Sequence, residues 1–176
     1  MGGTGMNIVK GNIQDITLIM NLIKDSIKDM EAKGIYQWNE YYPTQAIFEN
    51  DINNENLYLI KKDNECLGVI VFDEEQPLEY KEINWLTEDK KVLVIHRLAV
   101  NYKYQNQGLG RQLLDLVENI AVENRYNSIR LDAYSGNPRA LKIYEDKGYQ
   151  KVGQLFFPFR ELPFYCYEKK LDVKVY

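Results

Sequence analysis

Gln105, Gly108 and Gly110 are spaced Gln-x-x-Gly-x-Gly. They lie between the run His96-Arg97-Leu98-Ala99-Val100 and a stretch with helical periodicity. Where a strand turns into a helix, the first amide N–H groups have no acceptor inside the helix, and the positive end of the helix dipole is exposed. Glycine lets a ligand approach the backbone closely there. Such a turn suits phosphate, and Lys103 and Arg111 add positive charge at its mouth. Two common nucleotide signatures fail. The dinucleotide fingerprint needs a third glycine where Leu113 stands, and the only glycine pair with P-loop spacing, Gly148 and Gly153, is followed by Gln154 and Leu155. Glycines that merely ease a tight turn are the plainer use of the same residues.

A second group of residues follows a strand pattern ending at Tyr134. It runs Asn137-x-x-Ala140-x-x-x-Tyr144-x-x-x-Gly148-Tyr149. Ala140 and Tyr144 are four apart and share a helix face, so a small residue there leaves room for a ligand chain passing a phenol. Together the two motifs, in this order and each in its setting, resemble the Gcn5-related N-acetyltransferase (GNAT) superfamily. The likeness runs from about Met6 to the C-terminus, with the specific motifs inside 94–149. It implies an α/β (α+β) fold: a single mixed, mostly antiparallel sheet flanked by about four helices. It also implies a bacterial-type acetyltransferase using acetyl-CoA as cosubstrate, without a metal. The backbone of Leu98, Ala99 and Val100 would pair with the pantetheine arm and polarise the acyl carbonyl. Gln105, Asn106, Gln107, Gly108, Leu109, Gly110 and Arg111 would cradle the pyrophosphate, and Asn137, Ala140 and Tyr144 would line the rest of the cofactor site.

Acyl transfer from a thioester to an amine poses two proton problems. An alkyl ammonium has a pKa of ~10.4, so freeing the nucleophile at pH 7 costs roughly 4–5 kcal/mol. The leaving thiolate gains from a proton donor. The resemblance places Tyr144 near the coenzyme A sulfur as that donor; otherwise it is a packed core tyrosine. His96 is the candidate base, at a strand position where some arylalkylamine-type relatives carry a histidine, and its intrinsic pKa suits the task. Its plainer role is a polar residue on a partly exposed strand face. Glu82, Glu88 or water are the alternatives, and Arg97 points to the face opposite His96.

The acceptor pocket is expected among aromatic segments: Trp38, Tyr41 and Tyr42; Trp85; and Phe156, Phe157, Phe159, Phe164 and Tyr165. Of these, Trp38, Tyr41, Trp85 and Phe157 are the substrate candidates, although ordinary packing uses such side chains too. They suit an apolar, aromatic or cationic amine. A small-molecule amine is the expected acceptor, with a protein or peptide amine as the alternative. A coenzyme A-binding sensor without catalysis is a rival reading. The aromatic C-terminal strands also offer a surface for a homodimer.

These residues need a scaffold. The periodicities predict the order β-α-α-β-β-β-α-β-α-β-β. A first strand covers Met6 to Lys10, and a helix capped by Asp15 buries Ile16, Ile19, Met20, Ile23, Ile27 and Met30. A second helix spans about Thr44 to Ile52. Strands follow at 57–61 and 66–72, then a polar loop at 76–89 and a strand at 91–100. The second half predicts a helix at 108–123, a strand at 128–134, a helix at 137–147, and strands at 149–156 and 164–171.

The 176 residues fit one domain over 6–176, and 1–5 read as a tag before a native start at Met6. Hydrophobic residues make up 45%, enough for a core. A net charge of −4 argues against nucleic acid or an anionic membrane as the main partner. No apolar run is long enough to cross a bilayer. Cys66 and Cys166 read as reduced thiols of a cytoplasmic protein, and with a single histidine they make a zinc site improbable.

Overall fold

The computed structural model describes residues 6–88 and 90–172, so the segment read as a tag lies outside the described residues. Eleven main elements follow the predicted order: β1 (Asn7–Lys10), α1 (Ile16–Ala32), α2 (Gln45–Asn53), β2 (Leu57–Lys62), β3 (Glu65–Asp73), β4 (Val92–Val100), α3 (Leu109–Glu123), β5 (Ser128–Tyr134), α4 (Pro138–Asp146), β6 (Gln150–Leu155) and β7 (Phe164–Lys170). The strands form a mixed sheet in the order β1-β2-β3-β4-β5-β7-β6. β4 and β5 run parallel, whereas β1-β2, β2-β3, β5-β7 and β6-β7 are antiparallel. The chain forms two compact units: residues up to 71 together with 97–113, and residues 72–96 together with those from 114 onward.

In the first unit, α1 turns Ile19, Leu22 and Ile23 into a core shared with Phe48, Leu57, Leu59, Val69 and Val71. Ile16, Met20, Ile27 and Met30 pack partly buried around it. The start of α1 differs from the sequence expectation, because Asp15 makes no side-chain cap there. Instead Asn12 caps a 3-10 turn at Ile13–Asp15, accepting from the Gln14 N–H at 3.0 Å. Asp15 completes a capping box by accepting from the Asn12 N–H at 3.1 Å, and its carboxylate also pairs with Lys61. An Asn three residues ahead of an acid satisfies two orphan amides at once, which a lone Asp15 cap cannot do. Thr44 caps α2 through the Ile47 N–H. Asp63, at positive φ, turns β2 into β3.

In the second unit the segment predicted as a polar loop is an ordered cover. It contains a 3-10 turn, Leu78–Glu82. Tyr80 from this turn packs with Val92, Val94, Leu155 and Cys166. The segment is anchored by an ion pair with no exposed side-chain surface, Arg130 Nε to Glu168 Oε1 at 3.1 Å. Glu168 also accepts from the Leu86 N–H and the Thr87 and Ser128 hydroxyls. Arg130 donates to Gln76 and to the Thr87 carbonyl, and its guanidinium lies 4.4 Å from the Trp85 ring centre. Burial opposes ionisation of Glu168, but the hydrogen bonds from Thr87, Ser128, Leu86 and Arg130 hold its carboxyl below the ordinary range.

A buried ion pair contributes little net stability, yet removing one partner strands the other. Arg130→Met is therefore expected to cost about 3–5 kcal/mol, read as a lower urea midpoint. Because the Glu168 pKa is depressed, its stabilising contribution is present above the unfolded carboxyl value of ~4.3 and is lost as pH falls through the folded value. The wild-type protein should therefore lose more stability than Arg130→Met on acidification through that window.

Candidate active site

The first unit supplies the glycine turn. β4 ends at Val100, and Asn101 starts a 3-10 turn, Tyr102–Tyr104, by accepting from the Lys103 N–H at 3.1 Å. Glu65 on β3 holds this turn twice, accepting from Asn101 Nδ2 at 3.1 Å and from the Tyr104 hydroxyl at 3.0 Å. Gln105 Nε2 reaches back to the Val100 carbonyl at 3.5 Å. Asn106 and Gly108 both adopt positive φ, 64° and 79°. Space around Gly108 is open, since a Cβ built there meets nothing within 4 Å. The helical ladder of α3 begins with the Gln112 N–H on the Gly108 carbonyl at 3.0 Å. The amides of Leu109, Gly110 and Arg111 precede that ladder, and they are the groups an anion takes at a helix start. The positive φ of Gly108, its open surroundings and the early amides fit a pyrophosphate. Of the neighbouring residues, Asn106, Gln107 and Arg111 are exposed, Leu98 and Val100 half-buried, and Leu109 and Ala99 buried.

The second unit carries the titratable groups. Side chains alternate along a strand. On β5, Leu131 pairs with Tyr167 of β7 and Asp132 with Cys166. Cys166 packs with Tyr80 under the covering segment, so Asp132 lies on that face. The Tyr80 hydroxyl donates to Asp132 Oδ2 at 2.7 Å. The β4–β5 register ends at Ile95↔Leu131, and His96 and Asp132, each the next residue, interact electrostatically. His96 Nε2 lies 2.6 Å from Asp73 Oδ1. Burial raises the Asp132 carboxyl above its usual value, opposed by the Tyr80 hydrogen bond and the charge of His96.

Tyr144 comes from α4 on the other face of β5, packing its ring on Tyr149 and Tyr167 at 5.9 and 6.1 Å. It is buried, and among the described residues nothing hydrogen-bonds its hydroxyl. Burial, and then the Asp132 carboxylate, push the phenol well above the ordinary tyrosine range. At neutral pH the phenol therefore keeps its proton.

Other predicted site residues have clear local roles. Asn137 caps α4, accepting from the Ala140 N–H at 3.2 Å. Trp38 is buried in the first unit's core. Trp85 stacks on Tyr80 at 4.8 Å and donates its ring N–H to the Tyr80 carbonyl at 2.8 Å. Phe157 meets Phe164 edge-on at 5.0 Å, and Tyr41 is 77% exposed. Glu82 and Glu88 are exposed. The carboxylates grouped with His96 are Asp73 and Asp132, which the sequence reading did not single out. The one available signal was Asp132, the single acid in the strand stretch Ile129 to Tyr134. Arg97 turns away from His96 and pairs with Asp51 at 2.5 Å. Burial pushes the Cys66 and Cys166 thiols up to about 12, so neither is a thiolate at neutral pH. Among the described residues no helix is long and apolar enough to cross a membrane, and no three metal-ligating side chains converge.

Comparison with known proteins places this geometry. The uncharacterized N-acetyltransferase YesJ of Bacillus subtilis (strain 168) is 26% identical over 143 residues, spanning 80% of this chain and 79% of that protein. A solved acetyltransferase of the GNAT family from Streptococcus agalactiae 2603 has a TM-score of 0.81 at 22% identity, covering 96% of each chain. The PaiA N-acetyltransferase from Thermoplasma acidophilum, solved in complex with coenzyme A, has a TM-score of 0.71 at 16% identity, covering 95% of this chain and 99% of that one. At such identities the two structures speak for the fold. The profile of the Acetyltransferase (GNAT) family matches residues 21–149, well over half of the chain. The chain belongs to the Acetyltransferase (GNAT) family and is an N-acetyltransferase.

Proposed function

We propose that the enzyme moves an acetyl group from acetyl-CoA directly to the amine of a small molecule, with His96 as base and Tyr144 as acid. The observation that carries this reading is the division of labour across β5. An imidazole paired with a carboxylate stands on one face, and a neutral phenol with no hydrogen-bond partner among the described residues comes from the other. In this scheme His96 takes a proton from the acceptor ammonium, and the freed amine attacks the thioester carbonyl. The C–N bond forms and the C–S bond breaks. The thiolate takes the Tyr144 proton, and the second nitrogen proton restores the phenol. His96 then releases its proton to water. The buried, protonated thiols support direct transfer over an acyl-cysteine intermediate.

The glycine turn is the candidate seat for the pyrophosphate of acetyl-CoA, and the coenzyme A bound to the Thermoplasma relative is consistent with that. A small acceptor is favoured because the His96 side chain is only 18% exposed. A coenzyme A sensor would need the turn and not the acid–base pair. Titrating acetyl-CoA against a panel of amines, with free thiol as the readout, separates the two: thiol release that depends on the amine marks the enzyme, and binding without release marks the sensor.

Three variants test the parts. Tyr144→Phe is expected to lower kcat by about 100-fold, the lower end of the range for a lost general acid; unchanged turnover across pH would rule out the acid role. His96→Ala should lower kcat/KM by a similar factor of about 100 and abolish the acid limb of its pH profile. An intact profile would rule out the base role. Gly108→Val forces a branched side chain to φ 79°, which costs roughly 1–2 kcal/mol in backbone strain. It should weaken coenzyme A binding about tenfold by calorimetry while leaving the fold intact by circular dichroism.

A further inference from the structure

Asp73 has no part in the scheme above, yet its carboxylate is fixed from two directions. It ends β3, and its Oδ1 accepts from the Glu75 N–H at 2.8 Å, closing a local turn. The same oxygen lies 2.6 Å from His96 Nε2. The backbone turn therefore aims the carboxylate before the imidazole meets it. Both side chains are mostly shielded from water, 18% exposed for His96 and 22% for Asp73. An ionised carboxylate only accepts hydrogen bonds, so Nε2 is the donor in this contact, and in the neutral ring Nδ1 then carries the lone pair.

We propose that Asp73 is the positioning residue for His96, holding the imidazole as its Nε2–H tautomer and in one orientation, so that Nδ1 is the nitrogen that receives the acceptor's proton. The proposal rests on the base role given to His96 above. When the proton moves from the acceptor nitrogen to Nδ1, the ring becomes an imidazolium with its Nε2–H held by Asp73. The negative charge of Asp73 stabilises that cation. The other groups that bear on the ring are Asp132 on β5, the Tyr80 hydroxyl that binds Asp132, and Glu79, which acts on Asp132. Asp132 already shares its Oδ2 with Tyr80, whereas Asp73 is the carboxylate in direct contact with the imidazole.

His96 is the chain's single histidine, so nitrogen-15 and proton NMR of the imidazole need no assignment. In the wild-type enzyme the expected signal is a solvent-protected, low-field Nε2–H proton. Asp73→Ala should abolish it, lower kcat by about 10- to 100-fold through lost orientation, and leave the KM for acetyl-CoA unchanged. The acid limb of kcat/KM should also move to lower pH, because an imidazolium loses its opposite charge. Asp73→Asn keeps an acceptor for both Glu75 and His96. It should keep a weaker ring N–H signal, recover part of kcat and share the pH shift. A ring N–H signal that is absent from the wild type, or that survives Asp73→Ala, would overturn the proposal, as would Asp73→Ala kinetics altered in KM alone. His96→Gln separates this proposal from the reading beneath it. If its turnover is lost while Asp73→Ala turns over normally, only the positioning role falls. Full turnover in His96→Gln removes the base role and the proposal with it.

Discussion

His96 and Arg97 stand side by side on β4, and the twofold alternation of a strand sends them to opposite faces. Neither could stay in place alone. A polar or charged group half-removed from water needs a partner of opposite sign or a hydrogen-bond acceptor. Arg97 finds Asp51 from α2, which is itself almost buried, and lies above the Phe48 ring. His96 finds Asp73 at the end of β3. A slip of one residue in β4 would exchange the two faces and give each side chain surroundings built for the other. The register of this strand is therefore a requirement of the packing and of both ion pairs, and two aspartates distant in sequence hold it.

The same economy holds within each unit. A helix start is a good anion site only if the turn before it is held still. Here Glu65 clamps Asn101 and Tyr104 while Gln105 reaches back to Val100. In the second unit, the covering segment 76–88 packs little apolar surface beyond Tyr80, Ile83 and Trp85, since Leu78 and Leu86 are exposed. Its order comes from the charged pair beneath it. Arg130 and Glu168 sit on adjacent strands, and between them engage Gln76, Leu86, Thr87 and Ser128. Tyr80 is thereby delivered to Asp132.

Much of the scaffold was legible in the sequence because its signals are local. The Asn137-Pro138 start and Gly148 stop of α4 use side-chain and backbone preferences that act within a few residues. The strand 128–134 is bounded by the polar Asn127 and by Ser135-Gly136. The start of α1 misled, since Asp15 and Asn12 are both good caps and only their three-residue spacing tells which one leads. Partners across the sheet were not legible. Nothing near Asp73 in the chain points to His96, 23 residues away, and nothing near Glu65 points to Asn101. The aromatic residues were ambiguous for another reason. Trp38 and Trp85 offer large apolar area that either a pocket or a core can use, and here both serve packing.

The burial of both cysteines reaches beyond the fold. A thiol reagent attacks the thiolate, and burial holds both groups well above the ordinary thiol range. The folded enzyme is thereby almost inert to disulfide exchange and mild oxidants. A colorimetric thiol reagent would therefore meet little background from the protein itself.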